Sequence, residues 1–245
     1  MRDRRPPKHP RPNRHRARPA PESIDERRDL IVRAALDLLD EYGFDAMSLR
    51  QLARHLGMHA PGLYWYFESK QELTDLMAKS ILEDGMSSIG PLRPDQTWEE
   101  WLVELAVTAR RTLLARRDGA RVVAGAYLLR TNTMSPILET SLEILENAGF
   151  DRVAALGATM TLLRYATGIA LDEQASPFGQ MPAPGGGKQL LEFTVPQIDA
   201  TQWPRTADAF RRAFTGTIRD REAIFRWGVT MIVRGLASSM RQARR

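Results

Sequence analysis

The chain contains no cysteine. That excludes disulfides, thiolate metal sites and cysteine nucleophiles, and it suits a reducing compartment. Histidine is almost as scarce: the only four are His9, His15, His55 and His59. All lie in the first quarter, so the large remainder cannot house a histidine-based catalytic centre. No run of about 18 apolar residues occurs, so no segment reads as a bilayer span. The first residues lack the apolar stretch of a secretory signal. No GxSxG nucleophile motif is present. The expectations are a cytoplasmic protein that is not an enzyme, with no cofactor, no metal and no membrane partner.

What the chain does have is an uneven charge. Lys plus Arg is 35 and Asp plus Glu is 30, a net +5 over 245 residues. Residues 1–24 hold eight basic side chains against Asp3 and Glu22, a local +6. The other 221 residues therefore sum to −1. Six prolines fall between Pro6 and Pro21, with almost no large apolar residue. Such a stretch buries too little surface to offset its ordering entropy, so residues 1–23 read as a disordered basic arm. The composition suits an arm touching phosphates or the minor groove, and equally a solubilising tail.

After the arm the apolar residues take a helical period. Ile31, Ala34, Ala35, Leu38, Leu39 and Tyr42 form one stripe. Ser23 and Glu26 have capping-box spacing before it, and Gly43 stops it. The same spacing recurs at Ser48/Gln51, Ser69/Glu72 and Thr97/Glu100, each ahead of an apolar run. Asp84-Gly85 predicts the end of the third helix. Asp118-Gly119 predicts a break before an apolar segment from Val122 to Leu129. Ser135-Pro136 reads as an N-cap with proline at the first helical position. Asp151 caps a segment running to Leu171, and two last helices are expected over 206–216 and 220–241. Residues 175–205 hold five prolines and three consecutive glycines and read as a long loop. No strand precedes those glycines and no GxxxxGK follows, so they are not a phosphate loop. No stretch reads as a clear strand. The expected fold is all-α: an N-terminal three-helix helix-turn-helix domain over 24–70, then a larger helical bundle over 71–245.

The helix-turn-helix lies between Ser48 and Phe67: a short helix, a glycine turn and a second short helix. Tyr64, Trp65, Tyr66 and Phe67 are four consecutive aromatics, so they point in several directions. Leu63 and Phe67 suit the core. Tyr64 and Tyr66 can offer hydroxyls to a phosphate or base edge, while Trp65 is expected to pack inside. His55 and His59 are four apart, but Gly57 interrupts the helix between them, which argues against a metal pair.

The run from Ala34 through Gly43-Phe44, Ser48–Leu56, Gly57-Met58 and Leu63–Phe67 to Lys70–Leu73 resembles the TetR family of regulators. Thr97-Trp98, Arg117–Ala120, Gly149-Phe150 and Leu171–Gln174 are similar to its tetracycline-repressor-like branch. The resemblance covers about residues 24–242. It implies a homodimeric repressor that reads a palindromic operator in double-stranded DNA and is released by a small molecule. It implies DNA-contacting positions at Ser48, Arg50, His59, Ala60, Pro61, Gly62, Tyr64, Tyr66 and Lys70, of which Arg50, Pro61, Tyr64 and Lys70 keep the family's residue types while Ala60, Gly62 and Tyr66 depart from the tetracycline repressor's, so its operator sequence does not transfer. Arg50 could take guanine O6/N7 or a phosphate, and Lys70 a phosphate.

In that branch a drug and its magnesium sit in the larger domain, held partly by histidines. The matching positions here are Leu105, Ala109, Val123, Ala126, Ser141, Arg164 and Asp172, with Tyr127 beside them. No histidine is left, so the resemblance implies a mostly apolar effector other than tetracycline–magnesium. Arg164 could anchor a ligand or pair with Asp172, Glu139 or Glu143. Asn132, Met134 and Tyr165 are further lining candidates. The helix from Ser69 to Asp84 would connect the two units. Dimerisation would use 151–171 with the last helix, through Ala154, Ala155, Gly157, Ala158 and Gly168 against Ile224, Trp227, Met231 and Ile232. The competing reading is an effector-independent basic architectural DNA binder driven by the arm.

Overall fold

The computed structural model describes residues 23–175, 198–215 and 221–243. The basic arm and most of the 175–205 loop lie outside the described residues. Among the described residues every regular element is a helix. They are α1 (Ile24–Tyr42), α2 (Leu49–His55), α3 (Ala60–Leu63), α4 (Lys70–Met86), α5 (Trp98–Leu114), α6 (Gly119–Ala124), α7 (Ser135–Ala148), α8 (Arg152–Ala175), α9 (Pro204–Thr215) and α10 (Arg221–Ala243).

The helix starts are chemically explicit. Ser23, Ser48 and Thr97 each close a full capping box with Glu26, Gln51 and Glu100. The fourth expected box is half formed. The Ser69 hydroxyl accepts from the Glu72 N–H, but the Glu72 carboxylate turns to the Glu68 N–H and to Arg28. Asp151 caps α8 by accepting from the N–H groups of Val153 and Ala154. Several boundaries differ from expectation, three of them at named start or stop signals. Helix α4 runs past Gly85 to Met86, α8 runs past Leu171 to Ala175, and α7 is preceded by Met134 rather than capped by Ser135. Gly85 ends nothing: it lets α4 approach α5 closely, since a Cβ there would sit 2.2 Å from Thr112 Cγ2.

One contiguous apolar core joins α1–α8 to α10. Helix α5 is its axis. It packs on α4, α8 and α10, with Trp101, Leu102, Leu105 and Ala106 wholly enclosed. Helix α8 has the length and apolarity of a membrane span, but it packs along α5 and α7 and is a core helix. Its inner face is Ala155, Ala158, Thr159, Leu162, Ala166 and Ala170. Ala155 and Ala158 therefore serve the protomer's own core, which corrects their assignment to a dimer contact. Ala154, Gly157, Thr161, Arg164, Gly168 and Asp172 form the opposite, exposed face.

Candidate nucleic-acid interface

The reading unit is built on a fixed turn. Gly57 takes φ +63°, a left-handed conformation that costs glycine little. The turn closes with the Met58 N–H donating to Ala53 O at 2.8 Å and the Gly57 N–H to Arg54 O at 3.1 Å. His59 then opens α3 in extended conformation, with Pro61 in its first turn. Helix α3 is only four residues long. Beyond it the Tyr66 and Phe67 N–H groups both return to Leu63 O, which curls the aromatic run into a tight turn.

Leu63 and Phe67 anchor that turn in the core at 2% and 4% exposure. Tyr64 and Trp65 stand out of it at 59% and 88%. The expectation that Trp65 packs inside is therefore wrong. With Leu63 and Phe67 both buried, the intervening positions of a tight turn have no core left to enter. Burying such an indole is worth about 1.5–3 kcal/mol, so the exposed ring leaves a large apolar surface uncovered. Ser48, Arg50, His59, Pro61 and Lys70 are also exposed, while Ala60, Gly62 and Tyr66 are half-buried. The Ser48 hydroxyl is occupied by its cap. The Lys70 ammonium lies 5.6 Å above the Phe44 ring.

The reading unit is tied to the larger bundle by polar contacts that local pattern did not signal. Asp118, left-handed at φ 54°, accepts from the Phe44 N–H at 2.8 Å. Arg116 pairs with Asp40 at 2.6 Å, and Arg117 donates to Glu41 O at 2.9 Å. Arg121 grips Asp45 with two 2.7 Å bonds, and this holds the Asp45 carboxyl below its ordinary range. Gly43 has φ +80°, and a Cβ on it would meet Arg117 Nε at 3.0 Å. A second tie starts on α4. Buried Asp75 accepts from Gln71 Nε2 at 2.8 Å and from the Tyr127 N–H at 2.9 Å, and Gln71 also donates to Gly125 O. One clue was available for Asp75: a carboxylate on the otherwise apolar face of Leu73, Leu76 and Met77.

The expected effector residues fall into two groups. Leu105 and Ala109 of α5, Val123 of α6 and Ser141 of α7 are buried, and Ala126 is half-buried. The Ser141 hydroxyl is bonded to Thr159 of α8. Tyr127 is 60% exposed, and Arg164 and Asp172 are exposed on the outer face of α8. Arg164, open in sequence between a ligand anchor and an ion pair, turns outward, and the apolar residues around it are spread over the whole circumference of α8. The inward cation is Arg110 of α5, which sequence reasoning missed. It forms two bonds to Glu173, at 3.0 and 2.7 Å, and lies 5.3 Å over the Phe225 ring. Tyr165 also stacks on Phe225, with ring centroids 5.5 Å apart, and burial raises its phenol pKa. Gln174 closes the α5–α6 corner, donating to Leu113 O and Arg116 O and accepting from the Ala120 N–H. A separate open groove of about 590 Å³ runs between α5 and α10, lined by Val103, Thr230, Val233 and Ala237 with Glu99 and Arg234 at its rim.

Comparison with known proteins agrees with this layout. Residues 31–77 match the family model of bacterial regulatory proteins of the tetR family. Residues 90–240 match the model of the tetracyclin repressor-like C-terminal domain. The tetracycline repressor protein class A from transposon 1721 of Escherichia coli is 38% identical over 211 residues, spanning 84% of this chain and 88% of that protein. A possible TetR family transcriptional regulator from Streptomyces coelicolor A3(2) superposes with a TM-score of 0.73 at 32% identity, covering 86% of this chain and 99% of that one. The Streptomyces coelicolor TetR family protein ActR, solved in complex with (S)-DNPA, gives a TM-score of 0.70 at 27% identity, covering 86% and 97%.

Proposed function

The chain belongs to the TetR family of ligand-responsive transcriptional repressors, and from that premise we propose that it acts as a cytoplasmic homodimer on a palindromic operator. Residues 24–70 are the DNA-binding unit and 71–245 the effector-binding and dimerisation unit. The observation that carries the DNA assignment is the aromatic turn: Leu63 and Phe67 buried beneath it, Tyr64 and Trp65 exposed above it. A tight turn held from below and bare on top is a rigid contact surface. Arg50 and Tyr64 read or position the major groove, with Ser48, His59, Ala60, Pro61, Gly62, Tyr66 and Lys70 around them, and Trp65 joins the set. The outer face of α8 supports the dimer. Val153, Leu156, Trp227 and Met231 are exposed apolar residues, and Gly157 and Gly168 have open space above them. Small residues beside large ones suit a four-helix contact between two copies.

The effector acts in the core bounded by Leu105, Ala109, Val123, Ala126 and Ser141. These side chains supply one hydroxyl and otherwise only apolar surface, so they fit an apolar ligand and not a magnesium-bound one, which needs oxygen donors. Tetracycline with magnesium should leave the DNA complex intact. To release DNA, an effector must bind better to the arrangement that does not bind DNA. The Asp75–Tyr127 and Arg121–Asp45 contacts are where a shift of α6 would be felt by α4 and α1.

The test is selection of bound sequences from a random duplex pool at near-physiological salt. The expected result is an enriched palindrome that disappears with Arg50→Ala and weakens with Tyr64→Phe, while gel filtration still shows a dimer. Binding without any enriched motif would instead support an arm-driven architectural role.

A further inference from the structure

We propose that Asp45 is a positioning residue for Lys70: Arg121 of α6 keeps its carboxylate occupied, and when α6 withdraws, that carboxylate captures the Lys70 ammonium and takes it from the operator backbone. This rests on the assignment of Lys70 to a phosphate and of the effector to the core behind α6. The charges meet around one ring. The Arg121 guanidinium lies 5.2 Å from the centre of the Phe44 ring, and the Lys70 ammonium 5.6 Å from it. Asp45 follows Phe44 in the chain and accepts both Arg121 bonds, at 2.7 Å each. Lys70 is exposed and has no ion-pair partner among the described residues. The Arg121 hydrogen bond first, and the Lys70 charge more weakly, hold the Asp45 carboxyl below its ordinary range. Lys70 thus already lies within the field of Asp45.

Two cations compete for one carboxylate, and Arg121 wins on shape. Its planar fork meets both oxygens, whereas an ammonium is a point charge on a flexible stem. With Arg121 in place, Asp45 is neutralised and Lys70 is left to solvent or to a phosphate. The two competitors belong to different bodies. The Gly43 N–H donates to Leu39 O at 2.8 Å and the Met47 N–H to Gly43 O at 3.1 Å, so the turn carrying Phe44 and Asp45 is fixed to the end of α1. Arg121 sits on α6 beside buried Val122 and Val123, and Val123 bounds the proposed effector core. Asp118 at the start of α6 holds the Phe44 N–H, so α6 pivots there, and Arg121, nearly one turn on, swings away from Asp45.

The contact is also easy to part. The Arg121 and Asp45 side chains are 47% and 79% exposed, so separating them strands no buried charge. An exposed ion pair shifts an equilibrium by at most about fivefold. Capture of Lys70 in both protomers therefore weakens operator binding by at most about 25-fold, a substantial share of the roughly 5–150-fold usual between coupled sites.

The experiment compares the full chain with Arg121→Met, Asp45→Asn, Lys70→Met and their pairwise combinations. The first readout needs no DNA. The chain has four lysines, Lys8, Lys70, Lys79 and Lys188, and the acetylation rate of each by acetic anhydride is followed by peptide mass spectrometry. Arg121→Met should slow labelling of Lys70 several-fold, toward the rate of Lys79, which is paired with Glu83. Adding Asp45→Asn should restore it. The second readout is fluorescence anisotropy on the selected operator. Arg121→Met should weaken binding by about 5- to 25-fold, Asp45→Asn should recover most of that loss, and Arg121→Met should cost nothing further once Lys70 is Met. An unchanged labelling rate of Lys70 in Arg121→Met would overturn the exchange. So would a loss that persists in the Lys70→Met background, which would come from a bare carboxylate repelling the duplex. A loss that Asp45→Asn fails to recover would do the same and make Arg121 a structural tie only. Slowed labelling in Arg121→Met, with normal operator binding by Lys70→Met, would uphold the exchange and remove the phosphate assignment alone, so the two fail separately.

Discussion

Gly85→Ala sets two effects of opposite sign against each other. Gly85 lies inside α4, where alanine is the better helix former by up to ~1 kcal/mol, and by less so close to a helix end. Propensity alone thus predicts stabilisation. The structure predicts loss. The new Cβ would lie 2.2 Å from Thr112 Cγ2, 2.4 Å from its Oγ1 and 2.7 Å from its Cβ. Rotating Thr112 cannot relieve the last contact, and Thr112 is only 4% exposed, so it has no space to move into. Helices α4 and α5 must separate by about 0.8 Å to bring the closest contact to the 3.0 Å floor. Overpacking of this kind costs about 1–3 kcal/mol. The steric effect wins, for a net loss of roughly 1–2 kcal/mol, which lowers Tm by about 2–8 °C in a chain of this size. Thermal unfolding followed by circular dichroism reads it. Adding Thr112→Ala removes two of the three contacts and should restore most of the loss. An unchanged or raised Tm for Gly85→Ala would refute the close-packing argument. Because α4 links the two units, operator affinity should change in parallel with Tm.

Three further outcomes are expected. Arg110→Ala leaves Glu173 unpaired at 11% side-chain exposure and should cost about 3–5 kcal/mol in urea unfolding, whereas Arg110→Met with Glu173→Leu should cost far less; equal losses would deny the buried pair its role. Asp75→Ala orphans the Tyr127 N–H and should cost about 1–3 kcal/mol, with faster amide exchange confined to the segment after α6; unchanged exchange there would break the proposed link. Trp65→Ala should leave stability within about 0.5 kcal/mol while weakening DNA binding; a Tm drop of several degrees would show that the indole is packed after all.

Much of the fold was legible because its signals are local. A capping box needs a Ser or Thr and an acceptor three residues on, and it reports a helix start wherever it occurs. Three of the four expected boxes close fully. The fourth closes only halfway, because Glu72 has a stronger partner in Arg28, 44 residues away. Gly57 marks the turn of the reading unit because few other residues take its conformation cheaply. The direction of Arg164 was not legible, for the opposite reason. Helix α8 carries Ala, Gly, Leu and Thr on every side, so no stripe says which face turns inward. Trp65 was misread because four aromatics in a row carry no period at all.

The sequence by itself determined the all-helical plan, the placement of the reading unit, the net charge of the arm and the loss of histidine from the larger bundle. Each follows from residue type or from neighbours no more than about four positions apart. Only the tertiary structure decided which aromatics stay bare, which face of α8 is buried, and which charges meet. The contacts Arg116–Asp40, Arg110–Glu173 and Ala120–Gln174 join residues 76, 63 and 54 positions apart. Such pairs form because packing the apolar stripes fixes where the helices lie, and a buried or half-buried polar group must then bond to whatever group that packing brings within reach.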